Sequence, residues 1–248
     1  HHIGEWKGRW TRYTPSGDVK ETFASSRNFT ADPALTAVMQ VNRYRYSDGR
    51  SVRKQWDFTI EEHSQTDGFA HPASEAMRGL ALDNGAAAWL VPALQTKQFA
   101  PFELFLKQGD IRHSVGVLYG KDGQLLRTAS IREQRGNRSE RIWSDTVAQV
   151  EPWEPKGRWR GKEHQIRSNL SRGPARTATW HWMPTGQSDV FFPDQIILRC
   201  PRQLRAGEPF SITVLWLVRT DELQRLTAAY DRNARLISVT HQALRPEL

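Results

Sequence analysis

Gly4-Glu5-Trp6-Lys7-Gly8-Arg9 recurs as Gly157-Arg158-Trp159-Arg160-Gly161-Lys162, and no other feature of the 248-residue chain constrains its fold as much. A second match follows in the same order: the segment from Tyr119 to Leu125 resembles the one from Tyr230 to Leu236. The first motif opens a run of short alternating segments, and the second marks a hairpin near its end. Self-similarity at both ends of a unit is the signature of a duplicated fold. The units span about 4–149 and 157–245, and Pro152-Trp153-Glu154-Pro155 reads as the linker. The expected domains are therefore 1–150 and a smaller 151–248.

The periodicity is that of an all-β chain. Val52, Lys54, Trp56, Phe58 and Ile60 alternate with Arg53, Gln55, Asp57 and Thr59, after a turn at Ser47-Asp48-Gly49-Arg50. Strands are expected in the first unit near 5–14, 20–30, 35–46, 52–60, 84–91, 102–107, 111–119, 124–135 and 139–147. The second unit is expected to hold strands at 157–168, 175–183, 189–199, 209–219, 223–231 and 235–244. Residues 61–83 read as a polar loop with one helical turn. In small closed barrels a Gly-x-Trp start lets the backbone approach closely while the indole plugs one end. Arg127, Arg132, Arg135 and Arg245 are candidates to cover that indole by cation–π contact. The expected architecture is two consecutive antiparallel β-barrels.

Charge and composition narrow the function. Residues 1–152 hold 20 Lys/Arg against 18 Asp/Glu, so the net charge of +8 comes mostly from one basic stripe. That stripe contains Arg158, Arg160, Lys162, Arg167, Arg172 and Arg176 with Glu163 as the lone acid. It suits an acidic protein or an anionic membrane surface; without stacking motifs, nucleic acid is not expected. One cysteine excludes an intrachain disulfide and fits a reducing compartment. No apolar run is long enough to span a membrane. His63, His71, His113, His164, His181 and His241 show no metal-ligand spacing, and no metal is expected.

The chain also resembles a known family. Gly4-Glu5-Trp6-Lys7-Gly8 with Tyr13-Thr14-Pro15-Ser16-Gly17 is similar to the start of a lipocalin-like family of cyanobacteria and chloroplasts, the domain of unknown function DUF3598. Leu198-Arg199-Cys200-Pro201, the segment from Ala206 to Ile212, Trp216-Leu217-Val218, Tyr230-Asp231 and the segment from Leu236 to Thr240 extend the similarity. The resemblance implies two lipocalin-like (calycin-type) barrels. It also implies a setting linked to photosynthesis, in cyanobacterial cytoplasm or chloroplast stroma. The last hairpin lacks the glycine expected at Asn233-Ala234, so Asn233 is expected to supply the turn conformation.

Ten tryptophans supply the lining for an apolar ligand. The candidate ligand-binding residues are Trp56, Phe58, Trp89, Phe105, His113, Tyr119, Arg132, Trp180, Trp182 and Trp216. A bound pigment or lipid (tetrapyrrole, isoprenoid or fatty acid) is the expected occupant, its acid group held by Arg127, Arg132 or Arg160. No cofactor is otherwise indicated. An enzyme is the second reading: a pigment lyase or isomerase, related in fold to bilin lyases, using His113, Glu133 or Asp57 for acid–base chemistry. Cys200 is a candidate thiol for covalent attachment. A third reading has filled barrels and a scaffold whose basic second domain docks an acidic partner.

Overall fold

A computed structural model describes residues 1–136, 142–184 and 188–247. In the first sheet β1 (Gly4–Tyr13), β2 (Val19–Ala31), β3 (Ala37–Tyr46) and β4 (Ser51–Thr59) form a meander. The short helix α1 (Ile60–His63) then leads to β5 (Ser64–Gln65), β6 (Gly68–His71), β7 (Ser74–Ala81), β8 (Ala87–Leu90), β9 (Ala100–Gln108), β10 (Ile111–Tyr119) and β11 (Leu125–Arg135). The second sheet contains β12 (Arg158–Arg167), β13 (Arg176–His181), β14 (Ser188–Phe192), β15 (Ile196–Cys200), β16 (Phe210–Arg219), β17 (Glu222–Tyr230) and β18 (Leu236–Pro246).

All pairings are antiparallel, and β11 returns to pair with β1, making the first sheet a nearly closed 11-stranded barrel. Its seam lies between β4 and β5–β6. The second sheet has seven strands, with β18 returning to β12 in the same way.

Three strand expectations need correction. Residues 64–81 are not a loop but the three short strands β5, β6 and β7, too short and too rich in small residues to show alternation. The stretch 189–199 is two strands, broken where Asp194 and Gln195 both take positive φ. The strand expected at 139–147 begins outside the described residues, and 142–147 form no strand.

The repeated motif assigns different tasks to its two glycines. Gly4 and Gly157 have positive φ, 111° and 76°, at the entry to each sheet. Gly8 and Gly161 make the close approach. A Cβ on Gly8 would lie 1.9 Å from the Arg132 carbonyl oxygen, and one on Gly161 1.9 Å from that of Ala243. Both indoles between them are buried, with Trp6 Nε1 donating to His2 O and Trp159 Nε1 to Lys156 O. Arg112 and Arg135 cover Trp6 at 4.4 and 5.0 Å. Arg135 was among the expected partners; Arg127, Arg132 and Arg245 do not take this place.

The main apolar core lies between the sheets, not inside them. Leu80, Leu90, Phe102, Leu104, Val115, Val117 and Tyr119 of the first sheet form one cluster with Phe192, Ile196, Leu198, Val214, Trp216, Leu226 and Val239 of the second. Burying each large apolar side chain contributes about 1.5–3 kcal/mol. The sheets therefore stand back to back on their outer faces.

The second repeated motif clasps them together. Tyr119 Oη donates to Pro201 O (2.8 Å), while Tyr230 Oη donates to Val91 O (2.9 Å). Leu125 N reaches Arg202 O and Leu236 N reaches Pro92 O. Leu204 N bonds Gly123 O, and Leu94 N bonds Ala234 O. Each hairpin thus holds the loop after a short strand of the opposite sheet, an internal version of a self-complementary two-fold interface. The left-handed residue of the second hairpin is Ala234 (φ 55°), matching Gly123 (φ 78°), and not Asn233.

Candidate functional site

Register partners share a face of a sheet, and alternate residues along a strand point the same way. Through these pairings Trp6, Arg27, Asn42, Trp56, Phe58, Phe69, Trp89, Glu103, Phe105, Arg112 and Glu133 all occupy one face of the first sheet. Contacts between non-neighbouring strands identify that face as the barrel interior. Arg27 of β2 meets Glu103 of β9 at 3.1 Å, and Phe58 of β4 stacks on Trp89 of β8 with centroids 6.2 Å apart.

The deep part of this interior is ionic. Arg27 Nε donates to Glu133 Oε1 (2.6 Å), and Arg112 Nε donates to Glu133 Oε2 (2.8 Å). Ser114 Oγ donates to Glu103 (2.8 Å). Burial alone would raise the Glu133 carboxyl, but the guanidinia of Arg112 and Arg27 outweigh it and hold it below the usual range. Burial lowers Arg112 to about 10, whereas Glu133 and Glu103 outweigh burial at Arg27 and raise it. Two cations and two carboxylates balance. Glu133 and both arginines are sealed, but the Glu103 side chain remains 20% exposed. His2 completes the plug, with Nε2 on Gly85 O and Nδ1 accepting from Arg112; burial and Arg112 lower it to about 3.

The other part is aromatic. His71 lies against Trp89 (4.8 Å) and Trp56 (5.7 Å), and Phe58 meets Phe69 at 5.8 Å. These rings bridge the seam between β4 and β6. Trp56, Phe69, His71 and Trp89 are half-buried, so solvent reaches an inward-facing aromatic wall. Burial and His63 lower the His71 imidazole, keeping it neutral at pH 7. Trp89 is the register partner of Glu103, which joins the aromatic wall to the ionic floor. Nearby, Trp10 stacks on Phe23, and the buried atoms Trp10 Nε1 and Ser25 Oγ have no hydrogen-bond partner among the described residues.

Trp56, Phe58, Trp89 and Phe105 therefore stand where a lining was expected. Four other candidates do not. His113, Tyr119, Arg132 and Trp216 occupy outer faces: Tyr119 and Trp216 belong to the core between the sheets. His113 bonds Ser130 and faces Trp143, itself 5.6 Å from Trp216. Arg132 binds Asp194 of the second sheet and the carbonyls of Ser144 and Thr146. The alternation was legible, but which face met the partner sheet was not. Trp180 and Trp182 pack instead beside the small second-sheet cluster around Trp159, with Arg199 4.4 Å above Trp182.

The acid–base candidates do not converge. Glu133 is saturated by two arginines, His113 lies on the outer face, and Asp57 is exposed on the outer face of β4. Cys200 is fully buried, and burial pushes its thiol up to about 11, which leaves little thiolate for covalent attachment. The basic stripe also divides. Arg158, Arg160 and Lys162 share the outer face of β12, the first two near Glu247, while Arg172 binds Asp83 of the first sheet. Arg176 pairs in register with Glu163, and Arg167 ends β12. Arg160, expected at a ligand's acid group, is on that outer face; Arg127 alone of the three proposed arginines faces inward, half-buried near Arg12 and Glu21.

Sequence reasoning missed Arg27, Glu103, Arg112, Phe69 and His71. For Glu103 the signal was a charged residue interrupting an apolar strand, within Phe102-Glu103-Leu104.

Comparison with known proteins places this geometry. Residues 1–138 match the N-terminal domain of DUF3598, a domain of unknown function. The chain belongs to the DUF3598 family. A DUF3598 protein of unknown function from Nostoc punctiforme PCC 73102 shares the fold, with TM-score 0.73 and 17% identity over 99% of this chain and 96% of that one. The S-type phycobiliprotein lyase CPES from Guillardia theta is much less similar: TM-score 0.39 and 10% identity over 56% of this chain and 90% of that one. No curated protein matches the chain. No helix among the described residues of this DUF3598 member is long and apolar enough to cross a membrane.

Proposed function

We propose that the first barrel binds a small ligand with a flat or isoprenoid-like apolar body inside its interior. The half-buried inward wall of Trp56, His71 and Trp89 carries this reading. A wall of that kind stacks a conjugated or apolar body, while a few fixed polar groups set orientation. Glu103 is the solvent-accessible member of the ionic floor, so a ligand's N–H or O–H group donates to its carboxylate. Trp10 Nε1 and Ser25 Oγ, buried on the same inward face, are two further donors with no hydrogen-bond partner among the described residues. This chemistry favours an open-chain tetrapyrrole, which offers ring N–H donors to Glu103 and carbonyl acceptors besides its carboxylates, over a fatty acid, whose ionised head has no donor to give. The cyanobacterial source of the Nostoc relative fits such an occupant, in a cytoplasmic or stromal setting.

Titration with biliverdin, read by tryptophan fluorescence, tests the reading. Saturable quenching at micromolar concentration is expected, with E103Q weakening binding about tenfold, the loss of one charge-assisted hydrogen bond. Palmitate should compete poorly. Equal binding by the parent and a W56A/W89A variant would remove the site from the barrel interior.

A further inference from the structure

The outer face of β1–β4, opposite the barrel interior, carries a groove of about 530 Å³. Ala24 and Ser26 of β2 form its floor, and Lys7, Arg43, Arg45, Ser51 and Arg53 rise around it. Small residues on one strand between long cationic ones on its neighbours are what make the trough. Strands lie about 4.8 Å apart, so its β1 and β3 walls stand about 10 Å from each other. Arg43 and Arg53 are direct register partners, and Arg45 follows two residues along β3.

Like charges directly opposite on neighbouring strands destabilise a sheet. Among the described residues no carboxylate pairs with these three arginines. Of the acids on this face, Glu5 pairs with Lys7 of the groove wall and Asp57 accepts from Gln55, and neither pairs with Arg43, Arg45 or Arg53. Arg43 and Arg45 make no ion pair or side-chain hydrogen bond among the described residues, and Arg53 donates only to Gln55. Planar guanidinia with free donor edges match phosphate oxygens in paired fashion, and the Ser26 and Ser51 hydroxyls add neutral donors at the same rim.

We propose that this groove binds a phosphate-bearing ligand through Arg43, Arg45 and Arg53, independently of the barrel interior. The groove does not depend on the basic stripe of the second sheet, and the near-balanced charge count of residues 1–152 conceals it in the sequence.

Calorimetric titration with inorganic pyrophosphate, and co-sedimentation with vesicles of phosphatidylglycerol in phosphatidylcholine, test the site on the full chain. R43Q/R53Q should weaken pyrophosphate binding at least tenfold, whereas R158Q/R160Q on the second sheet should leave it unchanged. Without added phosphate, R43Q/R53Q should melt at or above the parent temperature, because a repulsive pair has been removed. Vesicle binding that pyrophosphate displaces identifies a lipid headgroup as the source; pyrophosphate binding without vesicle binding identifies a soluble phosphate. Binding to neither probe, binding insensitive to R43Q/R53Q, or a lower melting temperature for that variant would overturn the proposal.

Discussion

Gly8 and Gly161 have no room for a methyl group, since the nearest atom in each case is a backbone oxygen that cannot rotate away. G8A or G161A should lower stability by at least 1–3 kcal/mol, the usual cost of forcing extra volume into a packed site, measurable by urea unfolding. Ala234 presents the converse, a methyl group on a left-handed backbone where the equivalent residue is Gly123. A234G should stabilise by about 1 kcal/mol in the same assay. Buried histidines set the acid limit. His241 is 3% exposed, and burial with His164 nearby lowers it from 6.5 to about 4. Below pH 6.5 the unfolded chain takes up a proton that the folded chain refuses until about pH 4. Stability is therefore full above 6.5 and falls as pH drops through that window, by roughly 3 kcal/mol for this residue. Burial lowers His113 and His2 in the same direction. Unfolding measured between pH 7 and 4 should show the decline, and H241Q should flatten part of it.

Among the elements, the seam between β4 and β5–β6 is held by rings and the single turn of α1 rather than by a hydrogen-bond ladder. Hydrogen exchange should be fast in β4, β5 and β6 and slow in β10 and β17, whose both edges are paired and whose outer faces are sealed. Equal protection across these strands would contradict the seam. Most long strands were legible because alternation survives wherever one face is wet, as in Val52–Ile60. The short strands β5, β6 and β7 were not, because runs of two to eight residues rich in Gly, Ala and Ser carry too little alternation to read. The lining was half legible for a related reason. Alternation groups Trp56 with Phe58 and His113 with Tyr119, but it does not say whether a face looks into a barrel or at another sheet. Here the more apolar faces of β9 and β10 look outward, leaving the interior to Arg27, Arg112 and Glu133.

At the scale of the whole molecule, the two sheets make one folded body, because the shared core and the reciprocal tyrosine clasp belong to both. Thermal unfolding should be a single cooperative transition with both sheets lost together. A fragment of residues 151–248 should not fold alone, since Ile196, Leu198, Val214, Trp216 and Leu226 would face water. W216A should cost about 3–5 kcal/mol without touching the barrel interior. Separate transitions, or a folded fragment, would show that the sheets are independent. The back-to-back arrangement also frees the first barrel's interior from carrying the main apolar core, so its ionic floor and aromatic wall can serve a ligand. The most direct test of that claim is a biliverdin titration of the full chain, monitored by tryptophan fluorescence, alongside W56A/W89A. The account predicts saturable micromolar quenching that W56A/W89A loses while still unfolding cooperatively, at a lowered melting temperature because two of the seam rings are gone. Absence of saturable quenching in the parent chain, or undiminished affinity in W56A/W89A, would contradict it.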